Sequence, residues 1–169
     1  MKKLTAYAAA VAAICVLVAA PAADAARAAP VAEAISSGAQ VDTMLRLINS
    51  GRRSAGLPRL RSSPTLARAA RFKLARIAAC GEFSHTPCGA RFTATFRAAG
   101  WRGGMIGENI ACGGSYLGSP PVIFRSWMSS PGHRANIMRR SFHREGLAVG
   151  TVVLPRAGRV RLWVNTFGA

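Results

Sequence analysis

The stretch 146–167, GLAVGTVVLPRAGRVRLWVNTF, decides the fold. Residues 146–154 are rich in Val and Leu, residues 160–167 alternate as a strand does, and Pro155-Arg156-Ala157-Gly158-Arg159 is the turn between them. Upstream, the apolar residues fall at helical spacing almost throughout. Helices first, a terminal antiparallel hairpin last, no strand and helix alternation and no internal repeat together predict a layered α+β domain.

Working back from the hairpin, Ser130-Pro131 opens a short helix with His133 in its first turn, and Ser119-Pro120-Pro121 opens another through Ile123 and Trp127. Residues 105–111 read as a half-buried strand with Ile106 and Ile110 on either side of Gly107-Glu108-Asn109. A short helix is predicted over 91–99, ending at Gly100. Ser63-Pro64 caps a longer helix whose stripe runs Leu66, Ala70, Leu74, Ile77 towards Cys80. Val41, Met44, Leu45 and Ile48 mark the first helix, over 40–54, and Leu57-Pro58-Arg59-Leu60 is an extended connector.

The start of the chain has the features of a secretory signal. Lys2 and Lys3 precede an apolar run over 6–20, and Ala23-Asp24-Ala25 is a small-residue cleavage site. The run is shorter than the ~20 residues that span a bilayer comfortably. The expected organisation is a signal peptide over 1–25, a flexible lead-in over 26–39 and one domain over 40–169, with the product secreted. The whole chain carries 23 basic and 6 acidic residues; without Lys2, Lys3 and Asp24 the balance is 21 to 5, a net charge of +16. That charge favours anionic surfaces such as cell-wall polyanions or lipid headgroups. The arginines are scattered, without the motif or interleaved aromatics of specific nucleic-acid recognition.

Removing Cys15 with the signal leaves Cys80, Cys88 and Cys112, an odd count that predicts one thiol unpaired or bonded to another chain. Cys80 with Cys88 is the preferred disulfide, closing a loop around residues 83–85, and Cys88 with Cys112 is the alternative.

Three polar islands, GEFSHT at 81–86, GENIA at 107–111 and SPGHRANIM at 130–138, hold His85, Glu108 and His133. In a chain so poor in carboxylates Glu108 stands out. Two imidazoles and a carboxylate form a three-ligand set for zinc or another divalent ion, with a position left for water and Glu108 as candidate general base. No HExxH spacing accompanies them. The competing structural reading has Glu108 bonding backbone donors and His133 capping a turn. Ser84 and Ser130 adjoin the histidines and line the expected cleft, but no GxSxG elbow supports a serine nucleophile, and Ser130 reads as an N-cap. Asn109 and Asn136 are expected to shape the cleft walls, Cys112 to be a core residue or disulfide partner, His143 to be solvated, and Trp127 and Trp163 to pack in the core.

These residues also form an ordered set. Met44-Leu45, Asn49, Arg52, Gly56-Leu57 and Leu60, then FSHT, GENIA, Trp127-Met128 with SPGHRANIM, the strand from Gly146, and Trp163-Val164 to Phe167-Gly168 resemble the bacterial secreted CAP superfamily, also called the SCP-domain family. The resemblance runs from about residue 40 to the end of the chain. It implies a three-layer α-β-α sandwich with a central cleft lined by histidines and acidic residues, which in relatives can hold a divalent metal. Carried over, the cleft uses His85, Glu108 and His133. The second cleft glutamate has no match, Ser130 standing about where it belongs, so metal binding is expected to be weak or conditional. The function implied is an extracellular module binding a ligand or protein partner; the alternative is a metal-assisted hydrolase acting on peptide or cell-wall substrates.

Overall fold

The computed structural model describes residues 37–169 and the backbone of Ile14–Val16. Its strands are β1 (Ile14–Val16), β2 (Arg61–Ser62), β3 (Ile106–Gly113), β4 (Arg144–Leu154) and β5 (Gly158–Gly168). The hairpin β4–β5 is the middle of the sheet, with β3 antiparallel on the other side of β5. Short parallel additions at the margins give the order β1-β3-β5-β4-β2. The helices are α1 (Ser37–Ser54), α2 (Pro64–Cys80), α3 (Ala94–Ala98), α4 (Pro120–Ser129) and α5 (Pro131–Ile137).

Side-chain parity along the strands makes the layers. Ala111, Leu147, Trp163 and Phe167 join Met44, Ile48, Trp127 and Ile137 in one core on the α1, α4 and α5 side. Their even-numbered neighbours Ile110, Cys112, Ala148, Leu162 and Val164 join Ala70 and Ile77 of α2 in the other. Because strand side chains point alternately to opposite faces, helices must cover both. The α+β class and the α-β-α layering follow.

The same coverage corrects one expectation. β3 is buried at all eight positions, not half buried. Its Ile, Ala and Cys meet helices on both faces, so alternation in polarity is lost. Elsewhere α1 begins at Ser37, within the expected lead-in, and α3 begins at Ala94 because Ala90 is extended and a turn occupies 91–93. The expected signal peptide lies outside the described residues except for the backbone of β1.

Cys80 and Cys88 form a disulfide. Cys112 is also disulfide-bonded and no described cysteine is free, which corrects the expected unpaired thiol. The odd count rested on discarding Cys15, whose backbone is the register partner of Cys112.

Helix α2 is fixed at both ends by local chemistry. Ser63 Oγ accepts from the Leu66 amide at 3.3 Å, and Gly81 leaves the helix in the left-handed region at φ 63°. The helix lies so close to β4 that a Cβ on Gly146 would stand 2.0 Å from the Ala67 nitrogen. Thr166 Oγ1 donates to the Leu66 and Gly146 carbonyls across this contact.

On the other face, buried Arg52 donates to the carbonyls of Pro58, Ile137, Arg139 and Phe142, tying α1 to the connector and to the end of α5. Burial lowers its pKa while the nearby Glu145 opposes that shift. Glu145 is itself fully buried, and burial raises its carboxyl to about 8 against the bond from Asn165. The folded state therefore holds a proton there that the unfolded chain releases near pH 4.5. Stability from this group is full below that pH and is lost as pH rises through about 8. Urea unfolding should show a loss on the order of 5 kcal/mol over this interval. Glu145→Gln should flatten the slope; an unchanged slope in the variant would rule Glu145 out as its source.

Candidate functional site

The parity that builds the layers sends Glu108 from β3 towards α2. There it meets Lys73, a buried lysine whose Nζ lies 3.3 Å from Glu108 Oε1. The same ammonium donates to the His85 carbonyl. His85 follows Gly81 in the loop tied by the Cys80–Cys88 disulfide, and its Nδ1 lies 2.8 Å from Glu108 Oε1. A carboxylate paired with lysine can only accept, so Nδ1 carries the hydrogen of this contact.

Asn109 points to the opposite face and fastens α5. Its Nδ2 donates to the His133 carbonyl at 3.0 Å, while Asn136 Nδ2 donates to the Glu108 carbonyl at 3.2 Å and to Asn109 Oδ1 at 2.9 Å. His133 is buried, with Nδ1 2.8 Å from Ser130 Oγ. Ser130 holds the N-cap position of α5, yet its hydroxyl makes no cap bond and is spent on this ring. Burial first, and then the charge of His85, lowers His133 to about 4, against the opposing effect of the nearby Ile110 backbone. His133 is thus a neutral imidazole at physiological pH.

The outer edge of β3 is paired by β1 only from Ala111 to Gly113. At Glu108 it is therefore open to the segments carrying the two histidines. His85 and Glu108 are in direct contact, and His133 is coupled to His85 electrostatically. Ser84 turns away: its Oγ accepts from the Thr86 amide at 3.0 Å and contacts Thr86 Oγ1. Glu108 bonds side-chain donors, not the backbone donors of the structural reading.

One atom on each of the three residues, Glu108 Oε2, His85 Nε2 and His133 Nε2, is buried without a hydrogen-bond partner. Buried polar atoms are rarely left so, and three in one region call for water or ligand donors.

A divalent ion is a poor fit to this set. Glu108 Oε1 already carries two donors, one a fixed positive charge that would repel a second cation. Among the described residues no three His, Cys, Asp or Glu are placed to hold a metal. Sequence reasoning missed Lys73. The signal was present, because Lys73 lies three residues after Ala70 and four before Ile77, on the apolar stripe of α2. Glu145 was missed likewise, as the carboxylate inside an apolar strand.

The family model for the cysteine-rich secretory proteins, CAP, matches residues 45–152. The chain belongs to the CAP family. Solved structures with the same fold include an outer surface protein from Borrelia burgdorferi, with a TM-score of 0.64 and 16% identity over 76% of this chain and 91% of that one. A cysteine-rich secretory protein from Staphylococcus aureus has a TM-score of 0.62 and 19% identity over 82% of this chain and 40% of its own. An extracellular SCP-domain protein from Bacillus anthracis has a TM-score of 0.61 and 20% identity over 83% and 45%. The chain thus spans under half the length of the last two, and at these identities the likeness concerns the fold. Among curated proteins none matches in sequence.

Within this CAP domain the Lys73–Glu108 pair ties α2 to β3. Lys73→Met should destabilise by ~3–5 kcal/mol in chemical unfolding, because it leaves a buried carboxylate unpaired. Adding Glu108→Gln should recover much of that loss; additive losses in the double-mutant cycle would show that the two groups do not interact.

Proposed function

We propose that this CAP domain is an extracellular binding module whose recess at His85, Glu108 and His133 receives a neutral ligand rich in hydroxyl or amide donors. The observation that carries the reading is the trio of buried, unpartnered atoms on those residues. Glu108 Oε2, on a carboxylate paired with lysine, can only accept, so the ligand must donate to it. Charge points the same way. Lys73 balances Glu108 and His133 is neutral, so these three groups add no net charge to the recess. Cell-wall glycan and peptide, with their hydroxyls and amides, have this chemistry.

Export is supported by the basic start and apolar run at 2–20, by the disulfide, and by relatives of this fold described as outer surface, secretory or extracellular proteins. Metal is not part of this reading, since Lys73 supplies the positive charge beside Glu108.

The hydrolase reading has one contact in its favour, Ser130 Oγ against His133 Nδ1. A serine nucleophile needs its histidine oriented by a third group, and His133 Nε2 has no carboxylate behind it, Glu108 being engaged with His85.

Chitotetraose, the linear N-acetylglucosamine tetramer, is a suitable probe. Titrated into ¹⁵N-histidine-labelled protein, it should produce saturable shifts at His85 and His133 with no cleavage. Glu108→Gln should weaken the effect about tenfold. Absence of shifts with both chitotetraose and N-acetylated cell-wall peptides would reject the ligand class. Cleavage abolished by Glu108→Gln would establish the hydrolase instead. Calorimetry with zinc should show no saturable binding; saturable binding lost in a His85→Ala, His133→Ala variant would restore the metal site.

A further inference from the structure

A concavity that includes none of His85, Glu108 and His133 lies between α1, the α1–α2 connector, the segment before β3 and the start of β4. Its volume is about 1330 Å³, and Arg46, Arg59, Arg61, Arg102 and Arg144 line it without an aspartate or glutamate side chain. The terminal residue Ala169 lies at its margin. An adjoining cavity of about 440 Å³ shares Arg46 and Arg59 and adds Arg53, extending the trough along α1.

These guanidiniums are not used by the fold. Among the described residues the ion pairs all fall on Glu108. Arg46 and Arg53 each make one exposed bond to a hydroxyl, whereas Arg59, Arg61, Arg102 and Arg144 make no side-chain hydrogen bond. Strand register adds an independent observation: Arg61 and Arg144 are direct partners in the β2–β4 pairing, and both are exposed. Neighbouring strands lie ~4.8 Å apart. Like charges directly opposite one another are destabilising, and here no aspartate or glutamate side chain lines the cavity beside them. An anion between the two would convert that repulsion into attraction.

We propose that this trough binds a linear, phosphate-bearing polyanion, with Arg61 and Arg144 as its central clasp. Guanidinium forks match phosphate oxygens bidentately, and six of them along two joined cavities exceed what one phosphate can engage. The site is concave, so a flexible chain can enter where the headgroups of a flat bilayer cannot follow. Trp101 is the one aromatic in the lining besides His143, and it packs closely on Gly103 and Gly168, where an added Cβ would stand 2.4 and 2.3 Å from its ring. It is committed to packing instead of standing free as a platform for nucleobases, which favours a polyphosphate or polyol-phosphate backbone over single-stranded nucleic acid.

The test uses linear inorganic polyphosphate and the purified protein, with affinity measured by calorimetry from low salt to about 0.15 M. Arg61→Gln with Arg144→Gln should weaken binding about tenfold or more and reduce the salt slope by between one and two units, roughly one for each phosphate that is no longer neutralised. Arg125→Gln with Arg156→Gln, the same charge change outside both cavities, should cost less than about threefold. Equal weakening in the two variants would overturn the site in favour of a general charge effect, as would no binding at all. Tighter binding to a single-stranded oligonucleotide of matched charge, or to phosphatidylglycerol vesicles, with the same dependence on Arg61 and Arg144 would overturn the ligand class.

Discussion

The buried ammonium of Lys73 is the group on which the arrangement of this molecule depends. It reaches Glu108 on β3 and the carbonyl of His85 on the disulfide-bounded loop, joining one helix, one strand and one loop at a single point. Hydrophobic contact between α2 and the sheet would tolerate small sliding of the helix; a charge-assisted bond to a single oxygen does not. Buried ion pairs add little net stability once desolvation is counted, and their effect is better described as fixing a geometry. Here that geometry is the position of His85 against Glu108.

Two regions of different electrical character result. Around His85, Glu108 and His133, Lys73 and Glu108 cancel, His133 stays neutral, and what remains are buried polar atoms without partners. In the trough, guanidiniums face each other with no compensating side chain. A positively charged chain would be expected to attract anions everywhere, but an anion in the recess would meet unpartnered acceptors.

The fold was readable because its signals are local and periodic. The hairpin turn, the Ser-Pro helix starts and the apolar stripes each depend on a few neighbouring residues. What could not be read was where long-range partners meet. Lys73 sits on an apolar stripe, where a lysine reads as a local flaw until Glu108 is known to face it. Glu145 stands beside exposed Arg144 at the start of its strand, where a carboxylate reads as solvated, and Arg52 finds its carbonyl partners some 85 to 90 residues away as well as nearby. The half-burial expected for β3 failed for a related reason: alternation reports exposure of one face, and both faces of this strand are covered. The cysteine count depended on the fate of Cys15.

The two buried carboxylates show how environment separates groups of identical chemistry. Glu108 has a lysine at 3.3 Å and a histidine donor at 2.8 Å, so its charge is met by partners within hydrogen-bond reach. Glu145 has the amide of Asn165 at 3.2 Å, while Arg52 spends its own donors on four main-chain carbonyls. With too little to stabilise the anion, Glu145 retains its proton up to about pH 8 and serves as a neutral core group. Direct positive partners, not burial alone, decide which carboxylate can present a charged oxygen to a ligand, and by that criterion Glu108 belongs to the recess and Glu145 to the framework.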